Sequence, residues 1–287
     1  MDHIEKSKRA TLSLVRYECE SNTIKEIGSG FFLKYKNNVF FLSAMHLFYD
    51  KTDKMGWYIQ VDFDENKGTV LRPIGGLNFL LKISGEKNIK KLTENASHPK
   101  LINVLRGSGA KSLDFCYKKM DYIQTYAIEA DADFELQKKA QIIVSDNLEN
   151  IPQPDQRFTF SGTVKPKVPV YHMDSMKGFK FPIHNITLVN YSGLIYKSRS
   201  EDDNMLTFEL PQKIDVDFVR GCSGAPIFND KGDLVSILVE CYSKKGSYSK
   251  NGKIIQNQNI TIFKGIDLVK LKAALDVENE TLQHENK

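Results

Sequence analysis

The sequence predicts an all-β fold, a sandwich or a barrel, on three observations. Short apolar and β-branched runs recur along nearly the whole chain, with turn residues between them. Only one stretch, at the C-terminal end, has convincing helical spacing. The composition, 41% hydrophobic and 26% charged over 287 residues, excludes a disordered or low-complexity chain, and the length suffices for one large domain or two small cores.

The elements follow in chain order. Thr11 to Cys19 alternates loosely around Leu12, Leu14 and Val15. Gly30 to Tyr35 and Val39 to Ala44 are apolar and aromatic, and Lys36-Asn37-Asn38 between them is turn chemistry, so they read as a hairpin buried on both faces. Trp57 to Phe63, Thr69 to Pro73, Leu77 to Ile83 and Ser112 to Lys118 continue the pattern. In the second half it is carried by Gln141 to Val144, Arg157 to Val164, Asn185 to Tyr196, Met205 to Leu210, Ala225 to Phe228, Leu234 to Cys241 and Asn259 to Phe263. Asp230-Lys231-Gly232 closes a hairpin before Leu234. Gly85 to Pro99 is Lys- and Asn-rich and reads as a surface loop or insertion. Ala130 to Lys139 reads as a short helix or a connector between halves. At the end, Asp267 can cap a helix in which Leu268, Leu271 and Leu275 share one face. The polar tail from Val277 onward is expected to fray.

Charge and cysteines narrow the function classes. Forty Lys+Arg against 36 Asp+Glu give a net charge of +4, with both signs interspersed, which offers no reason to expect nucleic acid or an anionic membrane as partner. No apolar run approaches the ~18 residues of a membrane span, and the polar start lacks the core of a signal peptide. The expectation is a chain made in the cytoplasm. Cys19, Cys116, Cys222 and Cys241 show no C-x-x-C spacing, so no metal site or other cofactor is expected and free thiols are favoured.

Three stretches put a reactive side chain inside an apolar frame. In Arg220-Gly221-Cys222-Ser223-Gly224-Ala225-Pro226, a serine between glycines precedes an apolar strand. Gly221 allows the turn that aims its own N–H and that of Ser223 at one point. Two such donors make an oxyanion hole, each worth on the order of 3 kcal/mol to a tetrahedral intermediate. Taken alone, the same residues also suit a plain turn. His46 ends the apolar run Phe40 to Leu42, where a dry neighbourhood suits a general base, although a lone histidine there also suits a satisfied core position. Asp114, between Leu113 and Phe115, is costly to bury without a partner, and a histidine N–H would serve. An edge-strand aspartate facing water is the plainer alternative.

Together and in this order, the stretches resemble the chymotrypsin/trypsin-like serine peptidase family. Gly28-Ser29-Gly30-Phe31-Phe32-Leu33 resembles that family's G-[ST]-G-F strand, and Leu42-Ser43-Ala44-Met45-His46 its L-T-A-A-H. Leu113-Asp114-Phe115-Cys116 resembles D-[IL]-A-[LV], and Gly221-Cys222-Ser223-Gly224-Ala225-Pro226 resembles G-x-S-G-[GAS]-P. The resemblance spans residues 11 to 278. It implies two six-stranded antiparallel β-barrels with a C-terminal helix, divided as 1–128, 129–265 and 266–287. The cleft between the barrels would join His46 and Asp114 to Ser223 as a catalytic triad. An α/β-hydrolase needs the order Ser, acid, His, and here only His284 follows Ser223.

Departures from the family shape the expectation further. Cys222 stands where digestive members carry the aspartate that pairs with a new N-terminus, so no switch of that kind is expected. Leu47 replaces the disulfide cysteine that many secreted members have after the histidine. Ile237-Leu238-Val239-Glu240 lies where many members have a serine supporting the aspartate. Cysteine nucleophiles of viral relatives occupy the position of Ser223, so Cys222 reads as a neighbour in the oxyanion loop. Asp217, six residues before Ser223, occupies the place of a pocket acid for basic residues, and a solvated loop acid is the equal alternative. Glu240, Cys241 and Tyr242 should line the strand edge on which a peptide adds, with Glu240 a second candidate acid. The function expected is a serine endopeptidase acting on a protein or peptide substrate, a restricted one rather than protein at large. Its competitor is a catalytically silent module of the same fold that binds peptides or partners.

Overall fold

Lys36 and Asn37 turn the chain tightly, with Lys36 at φ 54°, and the two strands they join form the middle of the first sheet in the computed structural model. The structure describes residues 2–18, 23–48, 56–64, 68–82, 89–93, 111–120, 141–145, 147–164, 187–200, 204–215, 218–250 and 253–285. The first sheet holds β1 (Leu12–Glu18), β2 (Thr23–Tyr35), β3 (Asn38–Ser43), β4 (Gly56–Asp64), β5 (Gly68–Pro73), β6 (Asn78–Lys82), β7 (Ile89–Thr93), β8 (Lys111–Lys119) and β9 (Ile143–Val144). Its strands run β5-β4-β1-β2-β3-β8-β6-β7, with β9 parallel on β2, and the sheet curls into a half-barrel. The expected boundary at 128/129 falls outside the described residues.

The second unit closes fully. β10 (Arg157–Val164), β11 (Thr187–Ser200), β12 (Met205–Leu210), β13 (Pro226–Asn229), β14 (Leu234–Lys250) and β15 (Lys253–Asp267) form a six-stranded antiparallel barrel in the order β10-β11-β12-β15-β14-β13. Closure removes free edges along the paired stretches. The Asp230-Lys231-Gly232 turn forms as its residues require: Asn229 Oδ1 takes the N–H groups of Lys231 and Asp233, and Gly232 sits at φ 81°. Phe158, Phe160, Phe208 and Phe263 fill the barrel interior, and Phe31, Phe40, Phe115 and Tyr117 lie beneath the first sheet.

Helices bind the two units crosswise. α1 (His3–Ala10) is a helix the sequence pattern did not reveal, because its eight residues offer too few apolar positions. Local chemistry starts it: the Asp2 carboxylate accepts the Ile4 N–H at 3.3 Å, and Arg9 pairs with Glu5 one turn earlier at 3.0 Å. It packs on the barrel, where Lys6 Nζ donates to the Gly232 carbonyl at 2.6 Å and Ser7 Oγ to Ser161 Oγ at 3.1 Å.

At the other end, Asp267 Oδ1 accepts the Val269 N–H at 3.1 Å, the cap expected of it. α2 (Leu268–Glu285) then runs well past Val277, where fraying was expected. The reason is tertiary: Glu278 bonds Tyr117, and Asn38 Nδ2 donates to Asn279 Oδ1. Leu268, Leu271 and Leu275 join residues of β2, β3, β8, β13 and β14 in a single cluster, so the main core is shared between sheet and barrel.

Two further differences concern loops and thiols. β7 lies inside the stretch expected to be a loop and pairs antiparallel with β6, adding a strand at the sheet edge. Ala130 to Lys139 lies outside the described residues. Cys116, Cys222 and Cys241 carry free thiols, while Cys19 is not among the described residues. Among the described residues, no helix is long and apolar enough to cross a membrane.

The dock of α2 is pH-sensitive through Asp276. Its carboxylate accepts from Tyr35 Oη at 2.9 Å, Lys36 Nζ at 2.6 Å and Lys272 Nζ at 3.0 Å. Burial pushes the carboxyl up, but these hydrogen bonds outweigh it and hold the group at about 2, below the ordinary 3.8. A depressed folded-state value contributes stability that is complete above the unfolded value and is lost as pH falls from about 4 toward about 2. Asp276→Asn should therefore lower the urea midpoint near neutral pH, with the gap to wild type closing across that acid window. A gap that stays constant with pH would show that the carboxylate charge contributes nothing.

Candidate active site

β3 ends at Ser43, and one 3-10 turn, Met45–Leu47, follows Ala44. Met45 anchors the turn inward at 1% exposure, which leaves His46 facing out with 41% of its side chain exposed. The dry neighbourhood expected of His46 is therefore not found; the imidazole sits beyond the strand, on the open side. Ser43 pairs with Cys116 of β8, and this register brings Asp114 beside the turn.

Asp114 is held by both of its oxygens. The His46 backbone N–H donates to Oδ1 at 2.8 Å, and His46 Nδ1 lies 2.8 Å from Oδ2. A carboxylate only accepts, so Nδ1 carries the proton and Nε2 is left as a base. Among the described residues these are the hydrogen bonds Asp114 makes, both from His46. One of the two comes from the ring and the other from the backbone of the same residue.

Ser223 lies in the loop between β12 and β13. The Cys222 N–H donates to Val219 O at 2.9 Å, Ala225 N–H to Cys222 O at 3.0 Å, and Gly224 N–H to Leu238 O at 2.7 Å. The N–H groups of Gly221 and Ser223 donate to no acceptor among the described residues. Gly221 has φ 100° and Gly224 φ 89°, a region that L side chains rarely adopt. Contacts add to this: a methyl on Gly221 would stand 2.6 Å from the Thr163 carbonyl oxygen, and one on Gly224 would collide with Ser29 O and Ser43 Oγ.

Ser29, a fully buried residue, ties this loop to the first sheet. Its hydroxyl donates to Gly221 O at 2.7 Å and accepts the Thr163 N–H at 2.9 Å. Its backbone N–H donates to Ser223 O at 2.9 Å, and its carbonyl accepts Ser43 Oγ at 2.7 Å. Ser223-Gly224 is thus pressed against Ser43-Ala44, the segment that leads into His46. His46 and Asp114 are joined directly. Ser223 is brought to the same seam, but among the described residues no hydrogen bond links its Oγ to His46. Ser223 Oγ instead lies 3.5 Å from the Val239 carbonyl, a long and weak bond.

The remaining predicted residues divide. Asp217 lies outside the described residues. Glu240 Oε2 pairs with Lys264 Nζ at 2.9 Å, which engages the charge that a basic substrate residue would need. Lys264 also sits 5.5 Å from the centre of the half-exposed Tyr242 ring. Burial, then Glu240, pushes the Cys241 thiol up to about 12. Burial pushes the Cys222 thiol higher still, and a protonated thiol with no exposure is no nucleophile. Tyr191 was not foreseen; its hydroxyl donates to Phe218 O at 3.1 Å, and burial, then the two thiols, raises it to about 12. Among the described residues, no group of three His, Cys, Asp or Glu is placed to hold a metal ion.

No protein-family model and no curated protein matches the chain.

Ser29→Ala removes the hydroxyl between two buried backbone groups. Because Gly221 O and the Thr163 N–H would both lose a partner, the cost should be about 1–3 kcal/mol, read as a lowered urea midpoint. Gly224→Ala should cost more, since neither its φ nor its contacts admit a methyl. An unchanged midpoint for Gly224→Ala would refute the close approach of the two strands.

Proposed function

We propose that the chain is a serine endopeptidase that cleaves peptide bonds with Ser223, His46 and Asp114. The observation that carries this reading is the two-point grip of Asp114 on His46, which sets the tautomer a general base needs. The N–H groups of Gly221 and Ser223 on the facing loop, undonated among the described residues, support it.

Each group then has one task. Ser223 Oγ attacks the substrate carbonyl while His46 Nε2 takes its proton, and Asp114 stabilises the imidazolium. Gly221 and Ser223 donate their N–H groups to the oxygen that becomes negative. His46 passes the proton to the leaving amine, and water repeats the sequence on the acyl-enzyme. In the proposed cycle, Ser223 Oγ gives up the weak bond to Val239 O and turns to donate to His46 Nε2. Such bonds are often long before substrate arrives. The freed Val239 carbonyl can then accept from the substrate backbone.

That same rotamer is what a silent peptide-binding module would also display, and this keeps the second reading in view. A fluorophosphonate probe separates them. Wild type should label at Ser223, Ser223→Ala should not, and Asp114→Asn should label roughly 10³–10⁴-fold more slowly because the tautomer is no longer fixed. A folded wild type that takes no label and cleaves no peptide would overturn the hydrolase reading in favour of the silent module.

A further inference from the structure

We infer that the exposed part of β14 beyond Tyr242 extends the substrate site and recruits acidic residues that lie about five to seven positions before the cleaved bond. The inference rests on the peptidase reading above. Its starting point is the way β14 leaves the barrel. Up to Ile237 the strand is paired on both sides, with β13 and β15. Leu238 still bonds the loop that carries Ser223 on the β13 side, donating its N–H to Ala225 O and accepting the Gly224 N–H at its own carbonyl.

The register against β15 then jumps from Leu238↔Gly265 to Glu240↔Lys264, so Val239 is an extra residue, a bulge. Its carbonyl faces Ser223 rather than β15. With the side alternating every residue, the backbone groups of Cys241, Ser243 and Lys245 face the same open side as Val239 O. Among the described residues no strand pairs there. The edge continues regularly, Tyr242↔Ile262 through Lys245↔Asn259, and covers about 20 Å from Val239 at ~3.4 Å per residue.

A peptide whose reacting residue sits at Val239 can therefore run antiparallel along this edge, opposite Cys241, then Ser243, then Lys245. The charge on the way is one-sided. Glu240 is neutralised by Lys264, whereas Lys244 and Lys245 are exposed and enter no ion pair among the described residues. They point to opposite faces of the strand, so a bound acidic segment meets one cation on each face.

The test is cleavage profiling of a proteome-derived peptide library by mass spectrometry, with wild type and a Lys244→Glu/Lys245→Glu double variant, alongside fluorophosphonate labelling of both. Wild type should favour Asp and Glu five to seven residues before the cut, by about threefold per lysine engaged. The preference should weaken in high salt and turn toward Lys and Arg in the double variant. Peptides with fewer than about five residues before the cut should be cleaved more slowly. The double variant should label at the wild-type rate, because the probe does not reach this edge. Cleavage with neither acidic preference nor length dependence would overturn the inference while leaving the peptidase reading intact. Absence of both labelling and cleavage would overturn the reading and the inference with it. A wild-type dimer in sedimentation that the double variant dissociates would assign the edge to a second copy of the chain and also overturn it.

Discussion

The buried hydroxyl of Ser29 is the contact on which the geometry of the candidate site depends. It stands between an N–H of β10 and the Gly221 carbonyl of the loop before β13, while its own backbone grips Ser223 O and Ser43 Oγ. Each bond contributes only about 1 kcal/mol net, but leaving any of these groups unpaired in a water-free seam costs more. The sheet and the barrel are therefore held in one relative position at the point where Ser223 faces the His46 turn. By fixing the Gly221 carbonyl, Ser29 also fixes the peptide plane on one side of the loop. Gly221 and Gly224 are the complement of that constraint, since only a residue without a side chain lets the strands approach so closely.

Alternation and turn chemistry made most of the fold legible. The hairpin at Lys36-Asn37 and the turn at Asp230-Lys231-Gly232 stand where their residues demanded, because their geometry is set within a few neighbouring residues. Asp267 likewise caps α2. What escaped was decided at long range. α1 persists because the barrel offers partners to Lys6 and Ser7, and α2 continues beyond Val277 because Tyr117 and Asn38 receive it. β7 lacks an alternating pattern of its own and forms as an edge on β6.

The candidate site divides along the same line. His46 and Asp114 were recognisable because a polar residue framed by apolar neighbours calls for a partner, and each is the other's. The exposure of His46 was not legible, since it follows from Met45 anchoring a turn. Ser29 lay in a stretch already singled out, but its role depends on Gly221 and Thr163, far away in the chain. The Glu240–Lys264 pair joins two strands whose register no local pattern states.

The crosswise placement of the two helices has a consequence for how the molecule is made. Ser7 bonds a residue 154 positions away, and Tyr35 bonds one 241 positions away. The shared core stays open to water until α2 has been synthesised and has docked. Contacts of such separation form late, so the seam between Ser29 and Ser223 has nothing rigid behind it until they are made. The seam therefore becomes rigid only after these distant contacts have formed.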